Sequence, residues 1–447
     1  MSNDIKMPHT VEDEAVDSRY DDFPNGLSHE ILDHAPATSH GTYLESFQDE
    51  VEDLENYQPG GYHPIHLGDR LGATSRYLVI HKLGYGGFST VWLCRDSQVG
   101  QYVAVKVHTA DVSADKIPDL RLVDLGKTSP GAEYINIPKD NFSLEGPNGT
   151  HQCLVLTLLG PPVSPHLWIS MQNPGPVLRK MCQQTVQAMQ FLHQNGLCHG
   201  DFRPANILVK LASLDHLSEE KVLSLINQPE KSQVLTESGE KLPPSTPDYL
   251  VASADPSRLG VEYLKEEICI IDFGESFPTS SPPANLGIPE NYLPPEVLVD
   301  FEDETAIGLG CDLWALGCTL FEIRRQMALF YMIEDPDELL AETVNFFGKL
   351  PETLWRKWEA RADFFDDNGA RVTNLDYEIH TLDVALAHKL EVGKRESPDD
   401  KKVLAVSEKE QRLCKDLLLK LFAYTPGDRL SADEAARHDW FKFVEEK

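Results

Sequence analysis

The segment HGDFRPANIL (199–208) constrains this chain more than any other stretch. Asp201 lies two residues after His199, Asn206 follows Asp201 by five, and an apolar run suited to a strand comes next. A carboxylate at that place can accept a hydroxyl proton, and a carboxamide oxygen beside it can hold a hard cation. Either residue alone would pass for an ordinary turn former. Their neighbours along the chain decide between the two readings.

Upstream, RYLVIHKLGYGGFSTVWLCRD and QYVAVKV read as three strands, β-branched and aromatic, punctuated by glycines. In LGYGGFSTV (83–91), Gly84 and Gly86 stand where a backbone would approach phosphate oxygens closely, with Ser89 at the place of a third glycine. Val91 would pack on a flat ring. Lys106 sits inside the apolar strand VAVK, where an unpaired ammonium is costly, so a role in holding phosphates is expected of it. Downstream, ICIIDFGES runs from an apolar strand into a loop and offers Asp272 as a second cation ligand. Together and in this order, these residues describe phosphoryl transfer from a metal-bound nucleotide.

The remaining pattern is helical. VLRKMCQQTVQAMQFLHQNG (177–196) has apolar residues at helical spacing and ends in Asn-Gly, and CDLWALGCTLFEIRR (311–325) is apolar on nearly every side. SADEAARHDWF (431–441) opens with Ser431 as a cap and acidic residues in the first turn. Strands first and helices later give an α+β chain. Residues 1–58 are acidic and poor in periodic apolar residues, and read as a solvated, disordered tail. Residues 59–160 form a β-rich part with its lead-in, and 161–447 a helical part carrying a surface insert at about 211–265.

A net charge of −32 disfavours nucleic acid as a direct partner and suits basic ones. The eight cysteines form no metal-binding spacing, and most lie in apolar runs, as in a reducing compartment. The first ten residues lack the basic-then-apolar character of a signal peptide, and no apolar run reaches a membrane span. A soluble intracellular protein is expected.

The HGD spacing resembles both protein kinases and aminoglycoside-type phosphotransferases. Three later segments are similar to protein kinases alone. NYLPPEVL (291–298) resembles the Ala-Pro-Glu motif, with Pro294 in place of Ala; DLWALGC (312–318) resembles the central helix; and GDRLSADEAARHDWF (427–441) resembles the closing helix. The resemblance implies a bilobal protein kinase fold using ATP and Mg2+, with a small β-rich N-lobe and a larger helical C-lobe. It implies Leu83, Gly84, Gly86, Val91, Ala104, Lys106 and Leu158 around the nucleotide, Asp201, Lys106 and Arg203 as catalytic groups, and Asn206 and Asp272 on the metal. Asp312 would steady the catalytic loop, Arg429 would pair with Glu296, and Asp119 would serve as partner of Lys106.

ENYQPGGYHPIHLGDRL, the divided domain, and FFGKLPETLWRKWEARADFFDDNG (346–369) look like the SR-protein kinases, in a divergent fungal-type branch. That likeness spans roughly 56–443. It implies a monomeric Ser/Thr kinase of cytoplasm and nucleus acting on basic, Arg-Ser-rich proteins such as splicing factors. MIEDPDELLAE (332–342) and FFDDNG (364–369) could line an acidic groove for them, or simply be solvated faces.

Four departures from the pattern stand out. Gly200 replaces the Arg that pairs with an activation-loop phosphate, which implies an enzyme active as made. Arg203 stands for a Lys that touches the transferring phosphate. Asp119, behind Pro118, is one methylene shorter than the expected Glu, and Glu133 is too far along. LGIPENY lacks the usual Thr. The weak Asp119 keeps a pseudokinase or nucleotide-binding scaffold as the rival reading.

Overall fold

The computed structural model describes residues 35–46, 51–125, 129–300, 306–333, 335–372, 381–392 and 401–445. Contacts divide the chain into two compact units: residues up to 112 with 141–155 and 227–254, and residues 113–140, 156–226 and 255–447.

The first unit is built on a six-stranded sheet. Its strands are β1 (Arg70–Leu71), β2 (Tyr77–Gly86), β3 (Ser89–Asp96), β4 (Gln101–His108), β5 (Asp140–Gly146) and β6 (Gly149–Thr157), in the order β1-β2-β3-β4-β6-β5. The β-branched and aromatic residues that mark these strands in sequence fill one core: Tyr77, Val79, Trp92, Val103, Val105 and Val155.

Two sequence expectations give way here. The insert at about 211–265 is not a surface feature throughout. Its residues 227–254 belong to the first unit, where Lys231–Gln233 pairs with Tyr249–Val251, and Tyr249 and Val251 enter the sheet's core. Nor is the described part of the acidic tail solvated throughout. Tyr43, Leu54 and Tyr57 are buried with Tyr62 of the lead-in and with Val234 and Leu250 of the insert. The Leu44 amide donates to the Leu235 carbonyl, and the Tyr43 hydroxyl bonds Thr246. The physical reason is the same for both: a few apolar side chains in otherwise polar segments are worth roughly 2 kcal/mol each when docked on a ready surface. Residues 1–34 and 47–50 lie outside the described residues.

The second unit is mainly helical around an extensive apolar core. The helix Pro174–Gln194 packs on the central helix Leu309–Arg325, which is buried almost throughout. Ser431 and Glu434 form a reciprocal capping box at the last helix. A small sheet, Leu264–Ile270 beside Ile207–Leu211 beside Leu159–Pro162, carries the catalytic-loop region at one end. Among the described residues, no helix is long and apolar enough to cross a membrane. All eight cysteines are buried free thiols.

Candidate active site

In the first unit, sheet register sets the glycine-turn residues. Gly84 on β2 lies opposite Val91 on β3, and Val91 lies opposite Lys106 on β4, giving one row across three strands. Ala104 pairs with Leu93 and shares the Lys106 face, because strand side chains alternate. Lys106 is buried within its strand. Leu83 is half-buried on β2. A methyl group added at Gly84, Gly86 or Gly87 would meet nothing within 4 Å, so no neighbouring group of the chain makes glycine necessary there. Open space over a flat, glycine-lined turn suits a polyphosphate chain.

In the second unit, HGDFRPANIL forms a tight loop. The Arg203 Nε donates to one Asp201 oxygen at 2.9 Å, and the Asn206 amide nitrogen donates to the other at 2.7 Å. The same Asn206 nitrogen reaches the Asp201 carbonyl at 2.9 Å, which leaves the amide oxygen as the atom a cation would use. Burial pushes the Asp201 carboxyl above its usual value, against the pull of Arg203. A raised carboxyl is a better proton acceptor.

Asp312, from the central helix, holds the loop's backbone. Its oxygens accept the His199 amide at 2.8 Å, the Gly200 amide at 3.1 Å and the His193 ring nitrogen at 3.1 Å. Burial opposes its charge, yet these partners carry its carboxyl below the usual range. The His199 ring bonds the Ile271 carbonyl and lies 4.9 Å from the Phe273 ring, so the loop and the segment that follows Asp272 are packed as one. Asp272 itself has a positive φ of 59°. In a β-strand exit that turns sharply, such backbone is found at ligand-holding residues. Leu158 is half-buried just before Leu159–Pro162.

Gly200 has a φ of 80°, and a Cβ there would lie 2.3 Å from the Glu275 carbonyl oxygen. No Arg fits this backbone. Glu275 is flanked again at Gly287, where a Cβ would stand 2.7 Å from its carboxyl carbon. Further along, the Tyr292 hydroxyl donates to Glu322 at 2.6 Å. Arg429 grips both oxygens of Glu296 at 2.7 Å, a buried bidentate pair. The segment from Asp272 to Glu296 is thus held at its start by packing on the catalytic loop and at its end by bonds to Glu322 and Arg429.

Asp119 is buried in Pro118–Asp124, a run of 3-10 turns with Pro118 at its start. Pro118 begins the run and Leu125 returns to extended backbone, so no α-helix forms among these described residues. Glu133 accepts its own turn's Gly131 amide at 2.8 Å. Lys106 belongs to the first unit, whereas Asp119, Asp201, Asn206 and Asp272 belong to the second.

Residues 259–441 match the protein kinase domain family model. Over that span the chain is similar to protein kinases, and the relatives it matches carry SRSF protein kinase and SRPK names. It is 38% identical to human SRSF protein kinase 3 over 177 residues, 37% of this chain and 30% of that one. A Ser/Thr-protein kinase SRPK of Physarum polycephalum is 27% identical over 350 residues, covering 72% of this chain and 78% of its own. A plant relative, AFC3 of Arabidopsis thaliana, is 27% identical over 394 residues, 86% of this chain and 85% of that one. A solved crystal structure of a kinase domain superposes with a TM-score of 0.55 at 19% identity, over 84% of this chain and 98% of that one. This kinase chain spans about a third of the length of the mammalian relatives it matches.

Sequence reasoning missed Tyr62 and Glu52, which brace the glycine turn from the acidic segment. Their only signal was an aromatic pair inside an acidic run, which has no period to detect.

Proposed function

We propose that this chain is an ATP-dependent Ser/Thr protein kinase that transfers the γ-phosphate to Ser in basic, Arg-Ser-rich proteins. The observation that carries the reading is the Asp201 carboxylate, buried, raised and oriented from both sides by Arg203 and Asn206. In this reading Asp201 accepts the substrate hydroxyl proton, Arg203 faces the transferring phosphate, and Lys106 holds the α- and β-phosphates beneath the glycine turn. The donor set fits magnesium: the Asn206 amide oxygen and the Asp272 carboxylate are hard oxygen ligands, and the ion would offset the charge of the triphosphate. Asp312, Glu296 and Arg429 act as supports.

Substrate class follows from relatives named for SR-type factors. Of the acidic stretch 332–342, Glu338 and Glu342 give a small acidic surface to a cavity of about 370 Å³ in the second unit whose lining is otherwise mainly apolar, Phe321, Leu329, Met332 and Phe346 among it. Asp366 of FFDDNG instead caps its own turn by accepting the Asn368 and Ala370 amides, so it contributes less to such a surface. The kinase works as a monomer in cytoplasm and nucleus, with protein rather than nucleic acid or membrane as partner.

The rival reading, a scaffold that binds nucleotide without turnover, is favoured by the 3-10 turns around Asp119, where a regular helix would present a Glu. Incubation with labelled ATP and magnesium, offering an Arg-Ser peptide, a neutral Ser peptide and kanamycin, separates these readings. Label on the Arg-Ser peptide alone is expected. Nucleotide binding with no label on any acceptor would overturn the proposal in favour of the scaffold.

A further inference from the structure

The glycine turn closes the β2–β3 ladder, paired as far as Gly86 opposite Ser89, but its side chains rest on little. Its glycines face open space, and Tyr85 and Phe88 are exposed. The Thr109 amide reaches the Phe88 carbonyl at 3.0 Å, continuing the sheet toward the tip. A side chain from far away supplies a different kind of anchor: the Tyr62 hydroxyl donates to the Gly86 carbonyl at 2.8 Å.

Tyr62 is itself firmly placed. It is 3% exposed, its ring meets Tyr57 edge-on at 5.5 Å, and Asn148 donates to its carbonyl at 2.6 Å. The Tyr57 hydroxyl donates to one oxygen of Glu52 at 2.5 Å, and the other Glu52 oxygen takes the Lys82 ammonium. Glu52 and Lys82 are both fully buried, so the pair is not a solvated surface bridge. Lys82 lies on β2 two residues before Gly84, with its ammonium 5.1 Å from the Tyr85 ring centre. The segment 52–62 therefore grips β2 at Lys82 and at Gly86, on either side of Gly84.

We propose that Tyr62 is a positioning residue for nucleotide binding: through the Gly86 carbonyl it holds the glycine turn in the backbone arrangement that receives a polyphosphate. The proposal rests on the nucleotide reading of that turn. A tethered turn is already ordered when the ligand arrives, whereas a loose one is competent only part of the time, and apparent affinity falls by that fraction.

The test uses the full chain and Tyr62→Phe, which keeps the ring and removes the hydroxyl. Amide hydrogen exchange over 83–91 in the ligand-free protein is expected to quicken by about tenfold, the worth of one hydrogen bond. The dissociation constant and KM for magnesium-ATP should rise by about five- to tenfold, with kcat held within about twofold. A purely structural role would lower the melting temperature and leave the turn's exchange and the KM-to-kcat split unmoved, and that result overturns the proposal. Glu52→Gln, which spares the Tyr62 hydroxyl but loosens its support, should move both readouts the same way by less. Should the unaltered chain bind no nucleotide, the nucleotide reading falls. Exchange in the ligand-free protein then decides by itself whether Tyr62 orders the turn.

Discussion

The catalytic loop and the glycine turn are both short, polar and chemically suggestive, yet they are held in opposite ways. Within 199–206 about half of the fixing bonds join residues two to five apart, such as Arg203 to Asp201 and Asn206 to Asp201. Distant partners complete it: the Asp312 carboxylate, the Ile271 backbone and the Thr319 hydroxyl. The glycine turn is held by its own β2–β3 ladder, but its side-chain anchors come from a segment more than twenty residues away. A loop that carries its own scaffold can be recognised from its letters. A turn scaffolded from elsewhere shows only its glycines.

The sharpest way to break this comparison is to remove the group at the centre of the self-supported loop. Asp201→Ala should cost about a thousandfold in turnover, within the range of a positioned acid–base group. Nucleotide affinity should stay within about twofold, because Asp201 is not assigned to the nucleotide. Rapid-quench assays with labelled ATP, alongside equilibrium nucleotide binding, read the two separately. Full-speed turnover in the variant would remove the chemical role assigned to the loop.

Next in size is the loop's distant carboxylate support. Asp312→Ala strips the acceptor from two buried backbone amides and leaves the His193 ring without its carboxylate. Stability should fall by roughly 3 kcal/mol in urea unfolding, since unsatisfied buried donors are costly. Turnover should fall with it as the loop loses its backbone restraint. An equal loss from an exposed-surface variant would mean that Asp312 supports the unit generally rather than this loop.

The contrast also explains what could be read in advance. The three strands, the two long helices and the Ser431 cap announce themselves through alternation, helical spacing and a capping pattern, each a local signal. Asp312 and the Glu296–Arg429 pair were legible because they sit in segments that resemble those of known kinases. Residues 35–58 and 227–254 were misread. Tyr43, Leu54, Tyr57, Val234 and Leu250 are isolated apolar residues in polar surroundings, and they are buried only because the two segments meet. No window of sequence contains that meeting. The 3-10 turns at 118–124 were half visible: Pro118 warned of a poor helix, but not that an α-helix would be absent over those residues.

Acid distinguishes the two units more gently. In the first unit, burial lowers His63 and His81 to about 4 from an ordinary 6.5. His63 faces His151, its ring 4.8 Å away, and the His81 ring bonds the Lys82 carbonyl. The unfolded chain takes up protons below 6.5 that the folded unit refuses, so stability present above that value is lost as pH falls toward 4. Each histidine accounts for at most roughly 3 kcal/mol. In the second unit, Asp312 and Glu410 sit below their usual values despite burial, held there by hydrogen bonds and charge from His193 and from Arg324 and Arg179. Their contribution survives to pH near 4 and is lost below it. Peptide-resolved hydrogen exchange at pH 7 and pH 5, corrected for intrinsic rates, should show the first unit loosening at pH 5 while the second holds. Equal loosening of both would break the distinction.

The smallest expected effect is none at all, and it concerns phosphate. In the kinases this chain resembles, an Arg before the catalytic Asp pairs with a phosphate on the activation loop; here that position is Gly200. The backbone explains why no Arg returns: at a φ of 80°, with the Glu275 carbonyl 2.3 Å from any Cβ, only glycine fits. What the phosphate would have ordered is ordered by contact. The exposed Glu275 runs close beside Gly200 and Gly287, Tyr292 bonds Glu322, and Arg429 clamps Glu296. Exhaustive phosphatase treatment, verified by mass spectrometry, should leave turnover within about twofold, because no charge pair depends on the modification. Gly200→Ala should do the harm that dephosphorylation does not, by pushing Glu275 off its seat and loosening the segment's exchange. A chain that lost its activity to phosphatase would need a phosphate-binding cation in this segment, and the contacts around Gly200 leave that role to packing.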